Sequence, residues 1–113
     1  MTKRRIAEIY RFLASASMKR MNDDEKIALI RLLRTMKPVS QEMTDAAQDA
    51  FKSATENSVE NVAKFVDEAV SDLGSQEVKF IIKTMTEDAF ERLMLSNDWN
   101  FGQIEELHEE LVV

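Results

Sequence analysis

The feature that most constrains this chain is an apolar-periodic run over residues 22–54 that passes straight through the only proline, Pro38. Leu29, Leu33, Met36, Ser40, Met43, Ala47, Ala50 and Ala54 recur in alternating steps of four and three. That spacing lines up one face of an α-helix. A proline inside a helix removes a backbone hydrogen bond, crowds the carbonyl four residues back and costs about 3 kcal/mol. At the first turn of a new helix it costs little. A loop at Pro38 would scramble the phase, yet Val39, Met43, Ala46, Ala47, Ala50 and Phe51 continue the stripe. We therefore expect one long helix, kinked near Pro38 or nearly continuous, reaching to about Ala54.

Two glycines and one proline in 113 residues leave room for few and short loops. Abundant Ala, Leu, Glu, Lys and Met favours helices. Thr2 caps a first helix with Ile6, Ile9, Tyr10, Leu13 and Ala16 or Ser17 inward and Phe12 at the edge, closed by Met18-Lys19-Arg20-Met21. Asn22 with Glu25 forms a capping-box pattern, and Asp23 and Asp24 suit the first turn of the second helix. Ile27, Leu29 or Ile30, Leu32, Leu33 and Met36 are expected inside it. Asn57 or Ser58 is expected to cap a third helix with a stripe of Val59, Val62, Ala63, Val66, Ala69, Val70 and Leu73, which Gly74 ends in the left-handed conformation. Thr86 caps a fourth helix, with Ala89, Phe90, Leu93 and Met94 inward. Asn100 and Gln103 box a fifth carrying Ile104, Leu107 and Leu111, with Trp99 stapled onto Ile104. The expected fold is mostly α, a helical hairpin or bundle in a single domain spanning residues 1–113.

Residues 77–83, Glu-Val-Lys-Phe-Ile-Ile-Lys, change character. They are short, rich in β-branched and aromatic side chains, and flanked by Gly74-Ser75 and Thr84. This pattern reads as a short β-strand over residues 78–82. The chain holds no second good strand, and a lone strand leaves its backbone groups unpaired. Val78, Phe80 and Ile82 are thus the candidate self-association strand, pairing with its own copy in a homodimer.

Charge divides the chain. Residues 1–37 hold ten Lys and Arg against Glu8, Asp23, Asp24 and Glu25, a formal charge of +6. Residues 38–113 hold five Lys and Arg against seventeen acids, a formal charge of -12. The basic segment 1–37 and the acidic segment 38–113 attract, within one chain or between chains. The basic side chains are interspersed with core positions, which favours complementary packing over a nucleic-acid arm. Were an anionic partner held, Lys3, Arg4, Arg5, Arg11, Lys19 and Arg20 would contact it.

Catalytic and metal chemistry finds little support. With no cysteine there is no disulfide, thiolate metal site or thiol nucleophile. His108, the only histidine, stands in a Glu-x-x-His spacing with Glu105, but a di-iron bundle needs a second such motif. From Asp98, Gly102 falls one place short of where a calcium loop requires its glycine. Gly74 and Gly102 build no phosphate loop, and no Gly-x-Ser-x-Gly occurs. Reading the last two helices as a helix-turn-helix would put Glu105, Glu106, Glu109 and Glu110 against phosphate. No cofactor is expected. No stretch approaches the roughly 20 apolar residues of a membrane span, and the N-terminus lacks a signal-peptide core. The expected location is the cytoplasm.

Ile-Tyr-Arg-Phe-Leu and Ile-Arg-Leu-Leu-Arg-Thr-Met-Lys-Pro-Val, within residues 6–39, resemble small helical proteins of phages and prophages. Asp-Ala-Phe-Glu-Arg-Leu and Ser-Asn-Asp-Trp-Asn-Phe, within residues 86–111, are similar to the C-terminal ends of those proteins. The resemblance covers a little over half the chain and implies a phage or mobile-element accessory protein, without any catalytic residue. The leading functional expectation is a non-enzymatic structural or interaction protein, acting by helix-mediated self-association or on a protein partner. The alternatives are a nucleic-acid-associated regulator using the basic N-terminal helices and, last, a metal-dependent enzyme.

Overall fold

A computed structural model describes all residues, 1–113, as five helices and no sheet. They are α1 (Lys3–Ala14), α2 (Asp23–Glu56), α3 (Val62–Ser75), α4 (Glu87–Leu95) and α5 (Phe101–Leu111). No helix is long and apolar enough to cross a membrane.

α2 runs without interruption through Pro38 for 34 residues. Leu29, Met36, Ser40, Ala50 and Ala54 of its stripe are buried, and Leu33, Met43 and Ala47 are half-buried. Pro38 and Arg34, whose carbonyl the missing N–H would have met, both lie on the exposed side. A backbone group freed on the exposed side costs less than a buried one, which accords with the helix continuing. Two expected core positions fall outside. Ile27 and Phe51 are exposed, because each sits about 100–200° around the helix from its buried neighbour, Leu29 or Ala50.

Helix ends follow local chemistry. Thr2 Oγ1 accepts from the Arg5 amide, Thr86 Oγ1 from the Ala89 amide, and Asn100 with Gln103 makes both bonds of a capping box. The Glu25 carboxylate accepts from the Asn22 amide at 2.8 Å. The α2 C-terminus departs from expectation. Ser58 adopts a left-handed φ of 52°. Its amide donates to the Thr55 carbonyl and that of Val59 to the Ala54 carbonyl. This is a Schellman closure with serine where glycine is usual. Ser58 therefore ends α2, and Asn61 caps α3 by accepting from the Lys64 amide.

α3 is shallow. Among its residues only Gly74 is buried, while Val62, Val66, Val70 and Leu73 are half-buried and Ala63 and Ala69 exposed. Gly74 has no positive φ and lies inside the helix. A Cβ there would lie 2.9 Å from the Arg4 guanidinium. The residue makes room for Arg4; the helix stops at Gln76, in extended conformation.

The segment expected as a strand at 78–82 forms none. Two isolated bridges flank it, Thr2 with Glu77 and Met85 with Val112. The Val78 amide donates to Met1 and the Met85 amide to Leu111, whereas the amides of Phe80, Ile81, Ile82 and Lys83 donate to no backbone group. Burial nevertheless alternates: Val78 and Phe80 half-buried, Ile82 buried, Lys79, Ile81 and Lys83 exposed. The period-2 signal is real, but no neighbouring strand exists to complete a ladder.

Contacts divide the chain into two compact units. Unit 1 comprises Met1–Arg11 and Met36–Lys79, unit 2 Phe12–Thr35 and Phe80–Val113. The units do not follow the charge boundary near Pro38, since each combines residues of the basic and the acidic segment. In unit 1, Lys3 Nζ pairs with Glu42 at 2.9 Å and the N-terminal amine with Glu77 at 2.7 Å. In unit 2, the Asn97 side-chain amide takes the Ser17 amide and donates to the Ser17 carbonyl, both at 2.8 Å. Ser96 Oγ accepts from the Arg20 amide at 2.8 Å. These bonds fasten the α1–α2 turn to the α4–α5 turn.

Two stability changes are expected in urea unfolding. Pro38→Ala restores the α2 ladder and raises stability by about 2 kcal/mol; an unchanged midpoint would mean that the proline imposes no strain. Asn97→Ala removes both bonds to Ser17 and lowers stability by about 1–3 kcal/mol.

Candidate interaction surface

Unit 2 holds a cavity of about 200 Å³ where the first turns of α2 meet residues 84–89. Its floor is apolar and buried: Met21, Leu29, Leu32, Met85 and Ala89. Its rim is polar and exposed: Asp24, Thr84 and Thr86, with Ala28 beside them. The sequence places these groups by helix period, because Asp24, Ala28 and Leu32 are four residues apart on α2.

Glu25 stands in the wall and is fully engaged. Arg92 of α4 donates to its carboxylate through Nε at 2.8 Å and Nη2 at 2.5 Å, a fork on a fork. The Asn22 amide is a third donor. The hydrogen bonds from Arg92 hold the Glu25 carboxyl below its ordinary value near 4.5; burial opposes this, and the Asn22 amide and the Arg92 charge add to it. The same pair raises the Arg92 guanidinium. Sequence shows Asn22 and Glu25 as a capping box; the Arg92 partner, 67 residues away, carries no local signal.

Of the candidate self-association strand, Val78, Phe80 and Ile82 turn inward to half-buried or buried positions, and Ile81 is the outward side chain at 76% exposure. In the sequence, Ile81 is the first of two consecutive isoleucines and the apolar residue at an outward position of the alternation. Two other large apolar side chains flank the α4–α5 turn, Leu95 at 52% and Phe101 at 76% exposed. Between them Trp99 packs on Phe12, ring centroids 5.2 Å apart.

Of the six candidate anionic-partner residues, Lys3, Arg4, Arg5 and Arg11 belong to unit 1 and Lys19 and Arg20 to unit 2. Lys3 pairs with Glu42 and Arg5 with Glu8. Arg4 lines a polar hollow with Asp67, Glu68 and Asp72 of α3. Arg11 donates through Nε to the Ala7 carbonyl. Lys19 and Arg20 are exposed in the α1–α2 turn.

His108 Nε2 lies 2.6 Å from a Glu87 oxygen, and its ring meets Phe90 edge-on at 5.3 Å. The Glu105–His108 spacing gathers no further ligand, and nowhere do three His, Asp or Glu side chains converge as a metal site would require. No family model, curated protein or solved structure matches this chain.

The Glu25 geometry fixes a pH dependence. A carboxyl whose folded value is depressed stabilises the fold above its unfolded value, near 4.5, and loses that contribution as pH falls through the lower folded value. Glu25→Gln is expected to be less stable than the parent near neutral pH, with the gap closing as pH falls below 4.5 and through the lower folded value. Urea midpoints at a series of pH values measure it; a gap independent of pH would remove the ion pair from the account.

Proposed function

We propose that this chain is a non-enzymatic interaction protein that acts by associating with itself or with another protein. The observation that carries this reading is the clustering of exposed large apolar side chains in unit 2. Ile27, Ile81, Leu95, Phe101 and Val113 all belong to it, against Phe51 alone in unit 1. Single exposed apolar residues are ordinary, but five in one small unit that also holds an apolar cavity leave apolar area that gains from being covered.

The protein works in the cytoplasm as an accessory of the phage or mobile-element kind that residues 6–39 and 86–111 resemble.

Sedimentation equilibrium across a concentration series tests association. The expected result is a reversible rise in mass above 13.0 kDa. A mass that stays at 13.0 kDa at every concentration overturns self-association.

A further inference from the structure

We infer that two copies close about a two-fold axis, with Ile81 of each seated in the cavity of the other and Lys83 reaching the partner's Asp24. This rests on the association reading above and names the surface that performs it.

Four observations converge. The first is a knob: Ile81 projects a branched apolar side chain with 76% of its surface exposed. It is held on a backbone whose amides, from Phe80 to Lys83, donate to no backbone group of the chain. Such a segment offers main-chain donors as well as a side chain. The second is a hole. A cavity of about 150 Å³ admits a benzene-sized group, so the roughly 200 Å³ over Leu29, Leu32 and Met85 has room for the four-carbon isoleucine side chain.

The third is charge. Lys83 is exposed two residues from the knob, and Asp24 is exposed on the rim; neither has an ion pair within the chain. Glu25 cannot serve instead, because Arg92 already occupies its carboxylate. Phe101 is as exposed as Ile81, but Asp98 and Glu105 flank it in sequence, and they would meet Asp24 with like charge.

The fourth is position. Ile81 lies three residues before Thr84 on the cavity rim, no more than about 10 Å of chain. A knob and a hole so close together exchange reciprocally about a two-fold axis, which closes the assembly at two copies. A knob remote from its hole would instead propagate into rings or fibres.

The test uses the full chain and sedimentation equilibrium, with circular dichroism to confirm folding. Ile81→Asp alters an exposed side chain on the knob. Ala28→Arg alters an exposed helical position at the cavity mouth, where the new cation also faces Asp24 one turn back. Each is expected to weaken the dimer roughly thirtyfold, the size of a hot-spot loss. Phe101→Ser is expected to leave it intact. Lys83→Asp alone weakens association, and Lys83→Asp combined with Asp24→Lys restores it. A dimer that withstands Ile81→Asp and Ala28→Arg but dissociates on Phe101→Ser overturns this interface and leaves association standing. A parent chain that remains monomeric overturns both.

Discussion

From Leu29 to Ala54, α2 turns a side chain inward every three or four residues, and it supplies core to both units from one helix. Whatever interrupts that phase moves the side chains on one side of the break off the buried face. The tolerated interruption shows how the constraint works. Pro38 sits where its missing hydrogen bond faces water, while Met36, Val39 and Ser40 around it are buried. Rotated to the inward face, the same proline would leave a buried carbonyl without a partner, and the long helix would break.

The ends of helices show a second level of control. Thr2, Thr86 and the Asn100–Gln103 box were legible because an N-cap is decided within four residues of sequence. The C-terminal stops were not. Gly74 reads as a stop, but it lies inside α3, where the Arg4 guanidinium, far away in the chain, packs close to it. Ser58 takes the left-handed role although it carries a Cβ, and the closing bonds from Ser58 and Val59 hold it there. Asn97 gives no sequence signal either, since its partner Ser17 lies 80 residues away. Long-range polar contacts have no periodicity, so only the folded chain shows them.

Residues 77–83 fall between these cases. Their alternation expresses one inward and one outward face, as periodicity promises. What periodicity does not supply is a neighbour. The bridges at Glu77 and Met85 tie both ends of the segment to backbone near the chain termini, and the amides between 80 and 83 go unmatched. The inward residues Val78, Phe80 and Ile82 serve packing, and Ile81 is the side chain that the alternation assigns to solvent.

The same reasoning separates structural charges from those open to a partner. Lys3 and Glu42, Arg5 and Glu8, and Met1 and Glu77 meet within unit 1, and Arg92 with Glu25 within unit 2. The exposed pairs contribute little to stability, but each removes a charge from what a partner meets. Within the basic N-terminal segment, of formal charge +6, Lys3 and Arg5 are engaged in this way. Asp24 at the cavity rim and Lys83 beside Ile81 are among the charges outside these pairs, opposite in sign on one unit. In the proposed dimer these two charges meet across the two-fold axis, because an isologous contact places each residue of one copy against its counterpart's partner.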